Sequence, residues 1–269
     1  AREIREPKQG CGLEGVLQKR TGQLTGILNG IDVADWNPAT DPFLEENFSS
    51  DFNVRVGIPG KSACKMALQK EANLEQATET PLIGIVGRLA LQKGWSLILP
   101  VMKEFLENTN VQWIILGTGD PNYHHQLEKL QRKHPDKLGL KLGFSNEFAH
   151  RIEAGVDMFL MPSQYEPCGL NQMYSMVYGT VPIVRRTGGL ADTVVNATHE
   201  TCEDGTANGF CFDEFTEEAL CAAVKAALQM YNHHRPIWNQ LMRAGMTRDW
   251  SWRRSAKQYQ ELYGRTIQR

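Results

Sequence analysis

The sequence lacks the features that define several large classes of protein. No apolar run approaches the roughly 20 residues that cross a membrane, so a membrane-spanning helix is not expected. Basic residues are not in excess: 29 Lys and Arg stand against 31 Asp and Glu, a formal net charge of −2. This balance argues against a nucleic-acid-binding surface. The six cysteines include no Cys-x-x-Cys pair, which favours reduced thiols over a disulfide framework.

Several catalytic motifs are also missing. The chain contains no Walker A sequence, no Gly-x-Gly-x-x-Gly after its first predicted strand and no Gly-x-Ser-x-Gly, so neither a P-loop nor a dinucleotide fingerprint is predicted. His124 and His125, like His233 and His234, are neighbours on predicted helices, where adjacent side chains point apart, and no metal site is predicted from them. Cys168 has no histidine in its own loop, which favours a packed residue over a nucleophile.

Strand and helix patterns alternate from residue 81 onward. Strands are predicted at 81–87, 111–117, 138–143, 156–162, 181–185 and 209–213. Helices are predicted at 62–74, 95–108, 121–134, 146–154, 169–178, 216–231, 235–246 and 252–265. Pro100 is unfavourable within a helix and suggests a start later than Trp95. The alternation predicts an α/β fold, a Rossmann-like doubly wound parallel sheet.

Ligands of such sheets bind beyond the carboxyl ends of the strands. Three loops at that edge carry chemically useful residues: 87–94 with Arg88 and Lys93, 163–172 with Glu166, and 185–192 with Gly188 and Gly189. Cations beside the amino termini of helices are typical of a phosphate site. The alternative for these cations is a solvated loop face without a ligand.

Four stretches carry a resemblance to a known family. They are LNGID (28–32), GRLALQKG (87–94), SQYEPCGLNQMYSMVYGTVPIVRRTGGLADTV (163–194) and DWSW (249–252). In this order they resemble the carboxy-terminal half of bacterial glycogen synthases and plant starch synthases. The resemblance implies a GT-B glycosyltransferase, with two Rossmann-like domains facing a cleft. It also implies retaining transfer of glucose from ADP-glucose to an α-1,4-glucan, without a metal or other cofactor.

The resemblance further implies roles for individual residues. Arg88 and Lys93 match the cations that hold the diphosphate, and Glu166 matches the carboxylate that hydrogen-bonds the donor glucose. The implied nucleotide-sugar site adds Phe144, Cys168, Gly169, Leu170, Asn171, Gly188 and Gly189. Phe144 falls where the family often has a tyrosine that stacks on the base. Tyr174 stands where related glycosyltransferases have a second glutamate, a difference typical of the glycogen and starch synthase branch.

The resemblance also suggests how the chain is organised. Residues 1–30 are expected to be an interdomain remnant, 31–250 a nucleotide-sugar-binding domain, and 251–269 a helix that crosses back to an amino-terminal domain. The family's Lys-x-Gly-Gly loop is not found in these residues. We therefore expect a chain that binds ADP and ADP-glucose but needs the missing amino-terminal domain to act on a glucan. The expected location is the cytoplasm for a bacterial source and the plastid for a plant or alga.

Two other functions stay open on the sequence alone. One is a regulatory module that binds a nucleotide or a glucan without catalysis. The other is an α/β domain whose loops are only structural. Binding of ADP or UDP separates the last possibility from the others, because a purely structural domain would bind neither nucleotide.

Overall fold

The computed structural model describes residues 1–7 and 9–267, which form two compact units. One unit comprises Ile31–Trp250, and the other comprises Ala1–Gly30 together with Ser251–Arg269. The division expected from the sequence, into residues 1–30, 31–250 and 251–269, stays a prediction. The expected origin of residues 1–30 and the crossing of the last helix stay predictions, and residues 268 and 269 of that helix lie outside the described part.

The described residues form eleven α-helices and six strands. The helices are α1 (Glu14–Lys19), α2 (Pro59–Glu71), α3 (Trp95–Asn108), α4 (Pro121–Lys133), α5 (Asn146–Gly155), α6 (Asn171–Val177), α7 (Gly188–Thr193), α8 (His199–Glu203), α9 (Glu217–His233), α10 (Arg235–Thr247) and α11 (Trp252–Ile267). The strands are β1 (Leu82–Val86), β2 (Gln112–Gly117), β3 (Leu138–Leu142), β4 (Met158–Met161), β5 (Val181–Arg185) and β6 (Phe210–Phe212).

The strands of the described chain form one parallel sheet in the order β3-β2-β1-β4-β5-β6. Chain progression reverses between β1 and β4, which pair through Ile83 with Met158 and Gly84 with Phe159. Loops leaving these two strands therefore diverge, and a crevice opens at their carboxyl ends. The predicted Rossmann-like α/β fold is confirmed.

Helices cover both faces of the sheet, and the strand side chains alternate between them. Ile83 and Ile85 of β1 pack into the larger apolar cluster, with residues of α3 and α9. Leu82 packs into the cluster on the opposite face, with residues of α2 and α5. Because both faces are buried, the strands read as continuous apolar runs rather than as alternating ones. This explains why the sequence pattern locates them to within two residues at each end.

The prediction that Pro100 delays the start of α3 is wrong. The helix begins at Trp95 and passes through Pro100. Proline cannot donate to the carbonyl of Ser96, but Ser96 is exposed to solvent, so water can hydrate that carbonyl. Eight buried side chains line the helix, and each contributes about 1.5–3 kcal/mol on burial, which outweighs a proline cost of about 3 kcal/mol.

Gly94 joins the loop after β1 to α3. Its φ is +83°, in the left-handed region that favours glycine. A Cβ at this position would collide with the carbonyl oxygen of Pro162, at the end of β4. Glycine therefore meets both a backbone requirement and a close approach between the loops that follow β1 and β4.

Gly94→Ala is expected to destabilise the fold by more than Gly205→Ala. Gly205 has a similar φ of +74° but open space where a Cβ would lie, so it reports only the left-handed strain of about 1–2 kcal/mol. Urea unfolding of the two variants gives the difference. Equal losses would contradict the close approach to Pro162.

Candidate functional site

A pocket of about 250 Å³ lies where β1 and β4 end. Its lining comprises Ile85, Val86, Gly87, Arg88, Lys93, Trp95, Leu160, Met161, Ser163, Glu166, Gly169, Leu170 and Asn171. The pocket thus coincides with the crevice that the strand order creates. It brings together loops 87–94 and 163–172, two of the three loops in which the sequence predicted functional residues.

An ion pair joins these loops inside the pocket. Lys93 Nζ lies 2.5 Å from Glu166 Oε2, with the lysine side chain 27% exposed and the glutamate side chain 10% exposed. The hydroxyl of Ser163 donates to the same carboxylate oxygen at 3.1 Å. A cation and an anion at this depth attract each other more strongly than a surface pair does, because less water screens them. The sequence predicted both residues at the site but not their direct contact.

Several hydrogen bonds hold the backbone around Glu166. The buried Arg185 donates from Nη1 to the carbonyls of Ser163 at 3.2 Å and Gln164 at 2.7 Å. The Gln164 amide donates to the Gln92 carbonyl at 2.8 Å, and Gln92 Nε2 donates to the Tyr165 carbonyl at 3.2 Å. The loop that carries Glu166 is therefore fixed to β5 and to the loop after β1.

The start of α6 forms the adjoining wall of the pocket. Asn171 Nδ2 donates to the carbonyl of Val86 at 2.8 Å, which ties the first residue of the helix to the end of β1. Gly169 has φ +68°, a conformation that places the backbone close to the pocket at little steric cost. Gly169, Leu170 and Asn171 all line the cavity, whereas Cys168, partly buried, does not.

Gly188 and Gly189 lie beside this loop without lining the pocket. The Gly189 amide donates to the Glu166 carbonyl at 3.0 Å, and this bond occupies the amide within the protein. A Cβ on Gly188 would collide with the Glu166 carbonyl, and one on Gly189 with the Cys168 carbonyl. The two glycines therefore allow α7 to pack against the Glu166 loop, and their predicted contact with a nucleotide stays a prediction.

Arg88 and Phe144 occupy more open positions. Arg88 is exposed and donates from Nη2 to Gln92 Oε1 at 3.2 Å, while its carbonyl accepts from Trp95 Nε1 at 3.1 Å. Phe144 follows β3 on the same edge of the sheet, is 90% exposed and lies outside the pocket lining. An aromatic ring left this open is available for stacking by a flat ligand group.

Tyr174 has a partner that the sequence reading missed. Its ring stacks on Trp36 at a centroid distance of 3.8 Å, and the other stacking contact of Trp36 is with His150, also at 3.8 Å. Beneath the stack, His150 Nδ1 lies 2.8 Å from the buried Asp41, and Tyr178 donates to the same carboxylate. Burial alone would raise the pKa of Asp41, but these hydrogen bonds outweigh burial and hold it below its ordinary 3.8.

Two further properties concern the described residues as a whole. None of their helices combines the length and the apolar character needed to cross a membrane. Within residues 1–7 and 9–267, no group of three or more His, Cys, Asp and Glu side chains is arranged to hold a metal ion.

Comparison with known families identifies the class of protein. The profile of the family "Glycosyl transferases group 1" matches residues 68–240, which contain the whole pocket lining. The chain belongs to this family of glycosyl transferases. The region outside the match includes the segment that carries Trp36 and Asp41.

Individual relatives show which glycosyl transferases this chain resembles. The chain is 50% identical to the glycogen synthase of Rhodopirellula baltica over 99% of its own length and 52% of that protein. With the glycogen synthase of Thioalkalivibrio sulfidiphilus it shares 47% identity over 98% of the chain and 53% of the relative. The chain thus spans about half the length of the curated relatives it matches, and its resemblance to the glycogen and starch synthases is confirmed.

Solved structures agree with the sequence relatives. The catalytic domain of starch synthase IV from Arabidopsis thaliana, bound to ADP and acarbose, superposes with a TM-score of 0.91 at 38% identity. The match covers all of this chain and 54% of that one. Sucrose-phosphate synthase from Thermosynechococcus elongatus matches 95% of this chain and 56% of its own, with a TM-score of 0.62 at 19% identity. This second likeness concerns the fold alone.

Lys93→Met is expected to lower the free energy of unfolding by about 1–3 kcal/mol at neutral pH, since it leaves the Glu166 carboxylate buried without its cation. Arg88→Met is the matched control: Arg88 is exposed, so its loss should change stability by about 0.5 kcal/mol or less. Adding Glu166→Gln to Lys93→Met should recover most of the loss. Equal effects of the two single variants in urea unfolding would contradict the ion pair.

Proposed function

We propose that this chain is the donor-binding half of a retaining glycosyltransferase that elongates an α-1,4-glucan, with ADP-glucose as the donor. The observation that carries the proposal is the Lys93–Glu166 pair in a pocket at the β1/β4 crevice. A sugar diphosphate offers anionic oxygens to a cation and hydroxyl groups to a carboxylate. In the pocket, a cation (Lys93) is in direct contact with a carboxylate (Glu166).

Donor binding would exchange the partners of this pair. The Lys93 ammonium would move its hydrogen bond from Glu166 to a phosphate oxygen, and Glu166 would then accept from sugar hydroxyls. The departing nucleoside diphosphate gains negative charge as the glycosidic bond to it breaks. Arg88 and Lys93 would stabilise that charge, which is the main demand on the protein because the leaving group is already a good one. The proposed mechanism requires no metal or cofactor.

Adenine is the proposed base. The starch synthase IV structure contains ADP, and the exposed ring of Phe144 offers a face on which a purine stacks over a larger area than a pyrimidine does. Base–aromatic stacking contributes about 1–3 kcal/mol per base. Part of this stacking energy would make the affinity for ADP higher than the affinity for UDP.

The purified chain is expected to bind ADP more tightly than UDP, by about 1 kcal/mol or more. Calorimetric titration of both nucleotides into the chain and into Phe144→Ala measures the preference, which should shrink in the variant. Equal dissociation constants for ADP and UDP would contradict the assignment of the base. Absence of binding by both nucleotides would contradict the donor site itself.

The chain by itself is expected not to transfer glucose. Transfer requires donor and acceptor to be held together in a site that excludes water, and the relatives are about twice as long as this chain. Incubation with labelled ADP-glucose and maltooligosaccharides should give no elongation above a blank. Elongation by the purified chain would contradict this part of the proposal.

Separate variants distinguish the diphosphate contacts from the sugar contact. Arg88→Ala or Lys93→Ala should weaken ADP and ADP-glucose alike, by about 1.5–3 kcal/mol for a lost charge-assisted hydrogen bond. Glu166→Gln should weaken ADP-glucose, because an amide retains only part of the accepting capacity of a carboxylate. The same change should leave ADP unchanged or tighter, because it releases Lys93 from its ion pair.

The control for these titrations is Arg132→Ala, which removes an exposed cation of α4 that does not line the pocket. Its affinities for both ligands should equal those of the wild type. If Glu166→Gln weakened ADP and ADP-glucose in parallel, Glu166 would be a brace of its loop rather than a sugar contact.

A further inference from the structure

A second carboxylate lies buried behind the pocket, on α5. Glu153 is 1% exposed, and its Oε2 lies 2.6 Å from the hydroxyl oxygen of Ser175 on α6. The same hydroxyl oxygen lies 2.8 Å from the carbonyl oxygen of Asn171, one turn earlier in α6. Asn171 lines the pocket. A chain of close oxygen contacts therefore runs from Glu153 to the donor-site end of α6.

The protons in this chain can be counted. A serine hydroxyl has one hydrogen, and both a carbonyl and an ionised carboxylate only accept. If Glu153 were ionised, one of the two contacts of Ser175 would place two oxygens together without a hydrogen. A neutral Glu153 removes the conflict, because its O–H donates to Ser175 and the Ser175 hydroxyl donates to Asn171.

The cation whose charge acts on Glu153, Lys61, is engaged elsewhere. The buried Lys61 has three N–H groups, and they donate to the carbonyl of Ala154 at 2.9 Å, the carbonyl of Tyr178 at 3.0 Å and the hydroxyl of Thr180 at 2.6 Å. None of the ion pairs found among the described residues involves Glu153. An ionised Glu153 would therefore be a buried anion without a directly bonded cation, a costly state.

We propose that Glu153 is a neutral carboxylic acid whose proton positions the pocket end of α6 through Ser175, so that donor binding weakens when this proton is lost. On ionisation, Glu153 would draw the Ser175 hydrogen toward itself, and the Asn171 carbonyl would lose the hydrogen bond from the Ser175 hydroxyl. Glu153 is thus a positioning residue for the site, and its link to the donor rests on the proposed function. The protonation itself does not.

The electrostatic surroundings agree with the geometry. Burial raises the pKa of Glu153 to about 8 and outweighs the opposing effects of Ser175 and Lys61. Burial also lowers the pKa of Lys61 to about 8. The titratable groups that face this pair are Cys64 and Lys65 of α2, Tyr174 of α6, Asp157 before β4 and Tyr178 after α6.

The sign of the pH dependence follows from these shifts. Between pH 4.5, the ordinary pKa of Glu153, and about 8, the unfolded chain has released a proton that the folded chain keeps. Stability from this group therefore falls as pH rises through that window, by up to about tenfold in the folding equilibrium constant per pH unit. Lys61 acts at higher pH, because the folded chain loses its proton near 8 and the unfolded chain only near 10.5.

The test compares wild type with Glu153→Gln, whose amide can donate to Ser175 at every pH, and with Glu214→Gln as an exposed-carboxylate control. Infrared spectroscopy at pH 7 should show a protonated carboxyl band in wild type and in Glu214→Gln, and not in Glu153→Gln. The urea midpoint should fall between pH 5 and 8 by less in Glu153→Gln than in the other two proteins. ADP affinity should weaken from pH 7 to 9 in wild type and less in Glu153→Gln.

Ser175→Ala separates positioning from protonation. It should keep the protonated band, because Glu153 stays buried, and lose the difference in ADP affinity between pH 7 and 9. A wild type without the band, together with a Glu153→Gln variant that is destabilised equally at pH 5 and 8, would overturn the proposal. The infrared and urea measurements need no ligand. A wild type that binds no ADP at any pH would therefore contradict the proposed function, while the band would still report the neutral acid.

Discussion

The parallel pairing of β1 with β4 determines where the candidate site lies in this chain. Because the strand order reverses there, the loops that follow the two strands diverge and leave a crevice. The Lys93–Glu166 ion pair spans it at 2.5 Å, with one residue contributed by each loop. The two loops start from neighbouring strands, and this brings the two side chains together. The strand order, a property of the whole fold, therefore sets the distance between two side chains of the site.

Layers of hydrogen bonds behind the ion pair keep both loops in place. Arg185 reaches from β5 to the backbone near Glu166, and Asn171 joins α6 to the end of β1. The Trp36 stack lies further back and supports α6 through Tyr174. Tyr174 therefore has a packing role in this structure. The positions of the residues that line the pocket therefore depend on polar contacts as well as on the apolar core.

Sequence patterns predicted the strands well and individual contacts poorly. An apolar run such as Leu82–Val86 reports burial on both faces directly, so its position follows from composition. The predicted start of α3 was wrong because the sequence shows the destabilising effect of Pro100 on a helix. The burial of side chains that outweighs this effect depends on tertiary packing. The contact between Lys93 and Glu166 joins residues far apart in the chain, and no local pattern encodes it. The hydrogen bond from the Gly189 amide to the Glu166 carbonyl also joins distant residues, so the sequence did not predict it.

The central claim is that Lys93 exchanges Glu166 for the donor diphosphate. A crystal structure of the chain with ADP-glucose tests it most directly. The account predicts that Lys93 Nζ has left Glu166 for a phosphate oxygen and that the Glu166 carboxylate accepts from a glucose hydroxyl. An intact Lys93–Glu166 pair, with the nucleotide bound away from the β1/β4 crevice, would contradict it.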